Sequence, residues 1–224
     1  MTTDFRASLK TKVGSLDRIT VGGSTSGLLS ILKDHRGILF PYTPTLNINW
    51  GANYDSYEFT HSNYPYHTYR NSFPTTIGMN AEFTAQTLAE AHHMLASIRF
   101  LQVITKSHFG ASETTELAGT PPPVVLFNYL GSYMFKDVPV IARSVGFSLA
   151  NDVDYVPVEQ SFSDFFETGG NEIITVNNNT TYVPAKLDMF IELVPQYNPK
   201  KVRDKFNLRD FASGKSLDNG EGFI

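Results

Sequence analysis

The sequence predicts a mainly β domain with one long helix: an antiparallel β-sandwich or barrel carrying a long β-hairpin. Three observations predict it. Side-chain character alternates with a period of two along residues 45–84. A capping box at Thr87 opens a helical pattern directly afterwards. Aromatic residues make up 13% of the chain, 17 Phe and 11 Tyr against one Trp, a usage that favours strands and broad contact surfaces. With 41% apolar and 18% charged residues, the chain has the material for a core.

Residues 1–37 read as an irregular N-terminal arm with one short helical piece. Ser26 is its cap, Leu28, Leu29, Ile31 and Leu32 stand at helical spacing, and Gly37 ends it. Residues 38–197 read as the β domain. In its first strand, even positions give Leu46, Ile48, Trp50, Ala52 and Tyr54, while odd positions give Asn47, Asn49, Gly51, Asn53 and Asp55. One face is apolar and the other polar and small. Residues 72–84 repeat the pattern, with Phe73, Thr75, Ile77, Met79, Ala81 and Phe83 opposite Ser72, Pro74, Thr76, Gly78, Asn80 and Glu82. The connection 61–71, "HSNYPYHTYRN", is polar and aromatic, so 45–84 forms one hairpin with an extended tip. On this parity Trp50 belongs to the core face, and Trp50→Asp is expected to abolish soluble protein.

The helix is expected over about 87–109, ending near Gly110, with Leu88, Ala91, Leu95 and Ile98 along its inner face. "GTPPPVVLFNYLG" (119–131) is a Pro-opened strand, and 138–152 and 187–195 alternate again. Arg143 interrupts the alternation of the first of these. Residues 158–183 read as loop, with "TGGNE" and "VNNNTT" as turns. Residues 198–224 read as a basic tail. Within 198–215, six Lys and Arg face two Asp, net +4, which leaves −8 for the rest of a chain of net charge −4. A mostly acidic body argues against wrapping nucleic acid.

Chemical motifs are scarce. The chain has no Cys, which excludes disulfides, thiolate metal sites and thiol catalysis and fits a reducing cytoplasm. No apolar run approaches a membrane span, and the N-terminus lacks the apolar stretch of a signal peptide. "GGSTSGLL" (22–29) lacks the Lys and Ser/Thr that a phosphate loop needs after its last Gly. His92 and His93 are adjacent on the helix and point about 100° apart, too far to chelate together. Glu82, Asp188 and Glu192 lie on strand faces, without the fixed pair in a cleft that a carboxylate hydrolase requires. Asn178 and Asn179 begin N-x-T triplets and read as turn residues. No enzyme activity, metal or cofactor is expected.

The segments "FPYTPT" (40–45), "NAEFTAQ" (80–86), "TPPPVVLFNYLG" (120–131) and "DVDYVPV" (152–158) resemble the tail-tube junction (tube initiator) proteins of the baseplate of contractile-tailed phages. The similarity covers roughly residues 20–195. It implies a tail-tube fold in which each subunit of a hexameric ring lends a four-stranded inner sheet to a shared channel. Such a ring caps the baseplate hub, nucleates tail-tube polymerisation and passes DNA through its lumen. The implied partners are further copies of the chain, the adjacent tube and hub rings, and the tail sheath, in the virion and in host cytoplasm during assembly, with no membrane. Combined with the parity above, it makes Asn47, Asn49, Asn53, Asp55, Ser72, Thr76, Asn80 and Glu82 lumen candidates. His61, Tyr64, Tyr66, His67 and Tyr69 become an inter-subunit arm, and Lys200, Lys201, Arg203, Phe206 and Arg209 a docking tail. Two alternatives stand beside it: a main tail-tube subunit, and a carbohydrate-binding or hydrolytic baseplate module using the Tyr-rich arm.

Overall fold

The computed structural model describes residues 5–12, 28–73, 76–110, 118–164, 175–218 and 222–224. Expectations that fall on Ser26, on most of "GGSTSGLL" and on "TGGNE" lie outside these residues. The chain is mainly β, and all strand pairs among the described residues are antiparallel.

A seven-stranded sheet forms the frame. Its strands are β1 (Ser8–Thr11), β2 (Gly37–Leu39), β3 (Thr45–Ile48), β6 (Ile77–Thr84), β7 (Val125–Tyr129), β8 (Phe135–Ser148) and β11 (Lys186–Pro195), in the order β2-β1-β7-β8-β11-β6-β3. In β6, Ile77, Met79, Ala81 and Phe83 are buried; in β11, Leu187, Met189, Ile191 and Leu193 are. Both strands follow the alternation read from the sequence.

Helix α1 (Leu88–Val103) covers the apolar face. Its capping box forms as expected: the Glu90 amide donates to Thr87 Oγ1 at 3.3 Å, and the Thr87 amide to Glu90 Oε2 at 3.1 Å. Such a cap is worth about 1 kcal/mol. The Gln86 amide, which donates to Glu90 Oε2 at 2.9 Å, and after it the Thr87 amide hold the Glu90 carboxyl below its ordinary pKa. The helix is shorter than expected, stopping six residues before position 109. Thr105 Oγ1 donates to the Gln102 carbonyl at 2.8 Å, a local bond that competes with further helix. The buried stripe runs through Ala91, Met94, Ser97, Phe100 and Leu101, whereas Leu88 is exposed.

Three further expectations are corrected. The N-terminal arm is not wholly irregular, because β1 lies between β2 and β7 with Leu9 fully buried. Among the described residues of the arm, only Ser30–Leu32 is helical, as one 3-10 turn. Gly37 opens β2 instead of ending a helix, because a Cβ at that position would lie 2.0 Å from the Leu9 carbonyl oxygen. Within 158–183, residues 158–164 and 175–183 are strand and not loop: β9 (Tyr155–Asp164) and β10 (Thr175–Pro184) pair over ten residues, with Val158 and Val183 buried. Backbone pairing overrides the turn preference of the Asn run.

Phe83 joins the layers. It meets Phe40 edge to face at 5.7 Å and stacks on His93 of α1 at 6.1 Å. Burial, and secondarily the nearby His35, holds the His93 imidazole below its ordinary pKa. The unfolded chain therefore takes up the proton first as pH falls. Stability is expected to drop as pH falls below about 6.5, the ordinary imidazole value, and His93→Phe to flatten that part of the curve, read from urea midpoints. Gly37→Ala is expected to cost more than about 2 kcal/mol in the same assay. Gly110→Ala, with nothing within 4 Å of an added Cβ, should be near neutral.

Candidate interaction surface

The apolar face of the sheet is covered, but half of the opposite face is not. Four neighbouring strands, β3-β6-β11-β8, leave it exposed, and their register places its residues side by side. Asn47 stands opposite Gly78, Gly78 opposite Glu192, and Glu192 opposite Ser144. The next row is Thr45, Asn80, Phe190 and Gly146, and the row beyond it holds Glu82, Asp188 and Ser148. The surface is small and polar apart from Phe190, whose ring leans over Gly146. Its charges are mostly matched in pairs: Lys186 Nζ lies 3.4 Å from Glu82 Oε2 and Arg143 lies 3.3 Å from Glu192 Oε1. Such exposed pairs add little stability.

Arg143 has a structural role that explains the broken parity. Glu192 pairs with Ser144 but Leu193 with Ala142, so Arg143 is the extra residue of a β-bulge. The bulge exchanges the faces: Val138, Val140 and Ala142 point to the core before it, Val145 and Phe147 after it. Ile141, grouped by the sequence with Val145 and Phe147, lies on the other face.

This four-stranded segment has two open edges. β7 pairs with β8 only between Phe135 and Val140, so beyond that point β8 has no neighbour on that side among the described residues. β3 ends the sheet on the opposite side.

The predicted hairpin exists, in two sections. From Ile48 and Ile77 the chain continues into a separate ribbon, β4 (Gly51–Tyr57) paired with β5 (Tyr66–Phe73). Most of this ribbon is exposed on both faces. Asn53 Nδ2 donates to Asn71 Oδ1 at 3.1 Å, Tyr54 and Tyr69 meet edge to face at 5.9 Å, and Asp55 lies 3.7 Å from Arg70, the bulged residue. Trp50 is 63% exposed and Tyr64, at the tip, 82%; Tyr54, Tyr57, Phe59, Tyr66 and Tyr69 are exposed as well. His61 turns the tip at φ 64°. A two-stranded ribbon alone in water is marginal, and this one displays seven aromatic rings.

The lumen candidates therefore divide. Asn47, Asn80 and Glu82 share the exposed sheet face, with Asn49 exposed just beyond it and Thr76 half-buried. Asn53, Asp55 and Ser72 lie on the ribbon, and Ser72, paired with Ala52, is on the face opposite Asn53. The arm candidates His61, Tyr64, Tyr66, His67 and Tyr69 come together on the outer part of the ribbon, all exposed. Glu82 and Asp188 are cross-strand neighbours on an open surface, not a pair in a cleft. No three His, Asp or Glu converge as a metal site among the described residues.

The basic segment is folded. Asn198 caps α2 (Pro199–Lys205) and Asn207 caps α3 (Leu208–Ala212), each side chain accepting from the amide two residues on, and α4 (Lys215–Asp218) follows. Phe206 packs against Phe211 and Phe223, Tyr197 against Phe223, and Lys201 lies 5.6 Å above the Phe223 ring. Tyr197 Oη accepts from the Ile224 amide, and burial raises the pKa of its phenol. Lys200, Arg203, Phe206 and Arg209 remain at the surface. The Asn-Pro cap at 198–199 was the readable signal for this folding.

No protein-family model matches the chain, and no curated protein matches it.

Trp50 yields a corrected prediction. Because its indole is exposed, Trp50→Asp should leave the chain soluble and change its unfolding free energy by less than about 0.5 kcal/mol. A urea titration with far-UV circular dichroism measures this, and insoluble protein would restore the core-face reading.

Proposed function

We propose that the chain is a structural, ring-forming virion subunit of tail-tube type. It seats on the baseplate hub, nucleates tail-tube polymerisation and lines part of the DNA channel. The carrying observation is the four-stranded segment: exposed on one polar face, unpaired at both edges among the described residues, and extended by an aromatic ribbon. Unpaired edges invite strand addition. Two different edges on one sheet make a heterologous contact, which closes into a ring when the rotation permits. The resemblance adds the hexameric number and the barrel. Carboxylates on the polar face suit a passing polyanion that must not stick. A main tail-tube subunit is the second reading; the two differ in how many rings each tail holds.

Sedimentation velocity with negative-stain imaging tests this. Hexameric rings are expected, or rings that form once hub or tube partners are added. Tyr54→Ser, Tyr57→Ser and Tyr66→Ser together should leave the protomer folded and weaken ring formation roughly tenfold or more, since rings buried at an interface carry much of its energy. A chain that stays monomeric at every concentration and never seeds a tube overturns the proposal.

A further inference from the structure

We infer that the cavity at the end of α1 is a binding site for a small phosphomonoester, a dianionic phosphate group carried on an apolar body. The inference is independent of the ring reading, since every residue it uses belongs to one protomer.

The sequence sets out the donors. Arg99, Gln102 and Lys106 follow one another at intervals of three and four, so they share one face of α1 and of the turn that continues it. All three are exposed. Beyond the turn, Ser107 and His108 join them around a cavity of about 410 Å³. Val103 and Pro123 give it an apolar wall. That volume lies within the range of small-molecule sites and exceeds what a bare phosphate fills.

The backbone around the cavity is pinned. The His108 amide donates to the Thr120 carbonyl at 3.1 Å, and the Gly119 amide to the His108 carbonyl at 2.6 Å. The end of a helix ordinarily repels anions, because its last carbonyls lack partners. Here the Phe100 carbonyl accepts from the Ile104 amide, the Gln102 carbonyl from Thr105 Oγ1 and the Val103 carbonyl from the Lys106 amide. Much of that opposing negative end is thereby occupied.

Charge selects the class of ligand. The described residues that line the cavity include no Asp or Glu. Arg99 and Lys106 form no ion pair among the described residues. Two unneutralised cations in an otherwise acidic body call for a dianion. A carboxylate brings one charge and two oxygens, whereas a phosphomonoester brings nearly two charges and three terminal oxygens at neutral pH. The Arg99 guanidinium can meet two of those oxygens with parallel N–H groups, and the Lys106 ammonium acts as a point charge. The Gln102 amide and Ser107 hydroxyl add neutral donors. The apolar body of the ligand lies against Val103 and Pro123. Phe109, next in the chain after His108, is 87% exposed and offers a further ring to it.

Titration of the full chain with phenyl phosphate in phosphate-free buffer, followed by calorimetry and by the phosphorus NMR signal, tests the inference. Saturable binding is expected, roughly tenfold tighter than that of benzoate or inorganic phosphate. It should weaken as salt rises from about 0.1 to about 1 M. Arg99→Gln and Lys106→Gln should each weaken it roughly threefold or more, and the two together by more than about tenfold. Arg99→Lys, which keeps the charge but loses the paired N–H groups, should fall between the wild type and Arg99→Gln. Lys215→Gln, an exposed cation elsewhere, should leave binding unchanged. No saturable binding, benzoate or inorganic phosphate held as tightly, or a double variant that binds like the wild type overturns the inference. The ring reading stands or falls separately, on its own imaging.

Discussion

An antiparallel sheet is satisfied only when the outward amides and carbonyls of its last strands find partners. Here that condition is met unevenly. β7 pairs with the first part of β8, and beyond Val140 the strand has β11 on one side only among the described residues. β3 closes the other side of the same four-stranded segment and then leaves it as one strand of the ribbon. Among the described residues, Phe40, Phe83, Phe100 and Phe127 are hidden completely while two strand edges stay unpaired and seven aromatic rings stay in water. What its core does not need, an assembly can use.

The division of labour follows the chain. Alternating strands and α1 make a stiff support, because their apolar side chains interlock at core density. The polar face and the ribbon are carried on that support, and most of their side chains are exposed. Their residues are free to be small, uncharged or aromatic as contacts require. The paired carboxylates and cations on the sheet face keep it hydrated and nearly neutral, which suits a wall past which other molecules move.

Much of the frame was legible in the sequence. Period-two alternation placed β6 and β11 and their buried residues, since both pack one face on a core. Thr87 and Glu90 announced the helix by chemistry confined to its first turn. The failures share a cause: partners distant in sequence. Trp50 continues the apolar parity of Leu46 and Ile48, but nothing described lies above the ribbon to bury it. Arg143 looked like noise because a bulge exists only relative to β11. The Asn-rich β10 reads as turns until β9 is beside it. Of the candidate surface, the arm residues were recognisable as a Tyr-rich group, whereas the open edge of β8 depends on where β7 stops and has no local signal.

The central claim is that β3 of one copy pairs with the open edge of β8 in the next. Asn47 and Ser144 stand at the same level, linked across the sheet through Gly78 and Glu192. Within a protomer they are three strand spacings apart, about 14 Å, too far for a disulfide. The chain contains no Cys, so Asn47→Cys with Ser144→Cys introduces one inter-copy pair. Oxidation of the assembled protein, followed by denaturing electrophoresis under non-reducing conditions, measures the pairing directly. The account predicts a ladder of cross-linked species that ends at the hexamer. Assembled rings that yield only monomers, or a ladder that stops at a dimer, would contradict it.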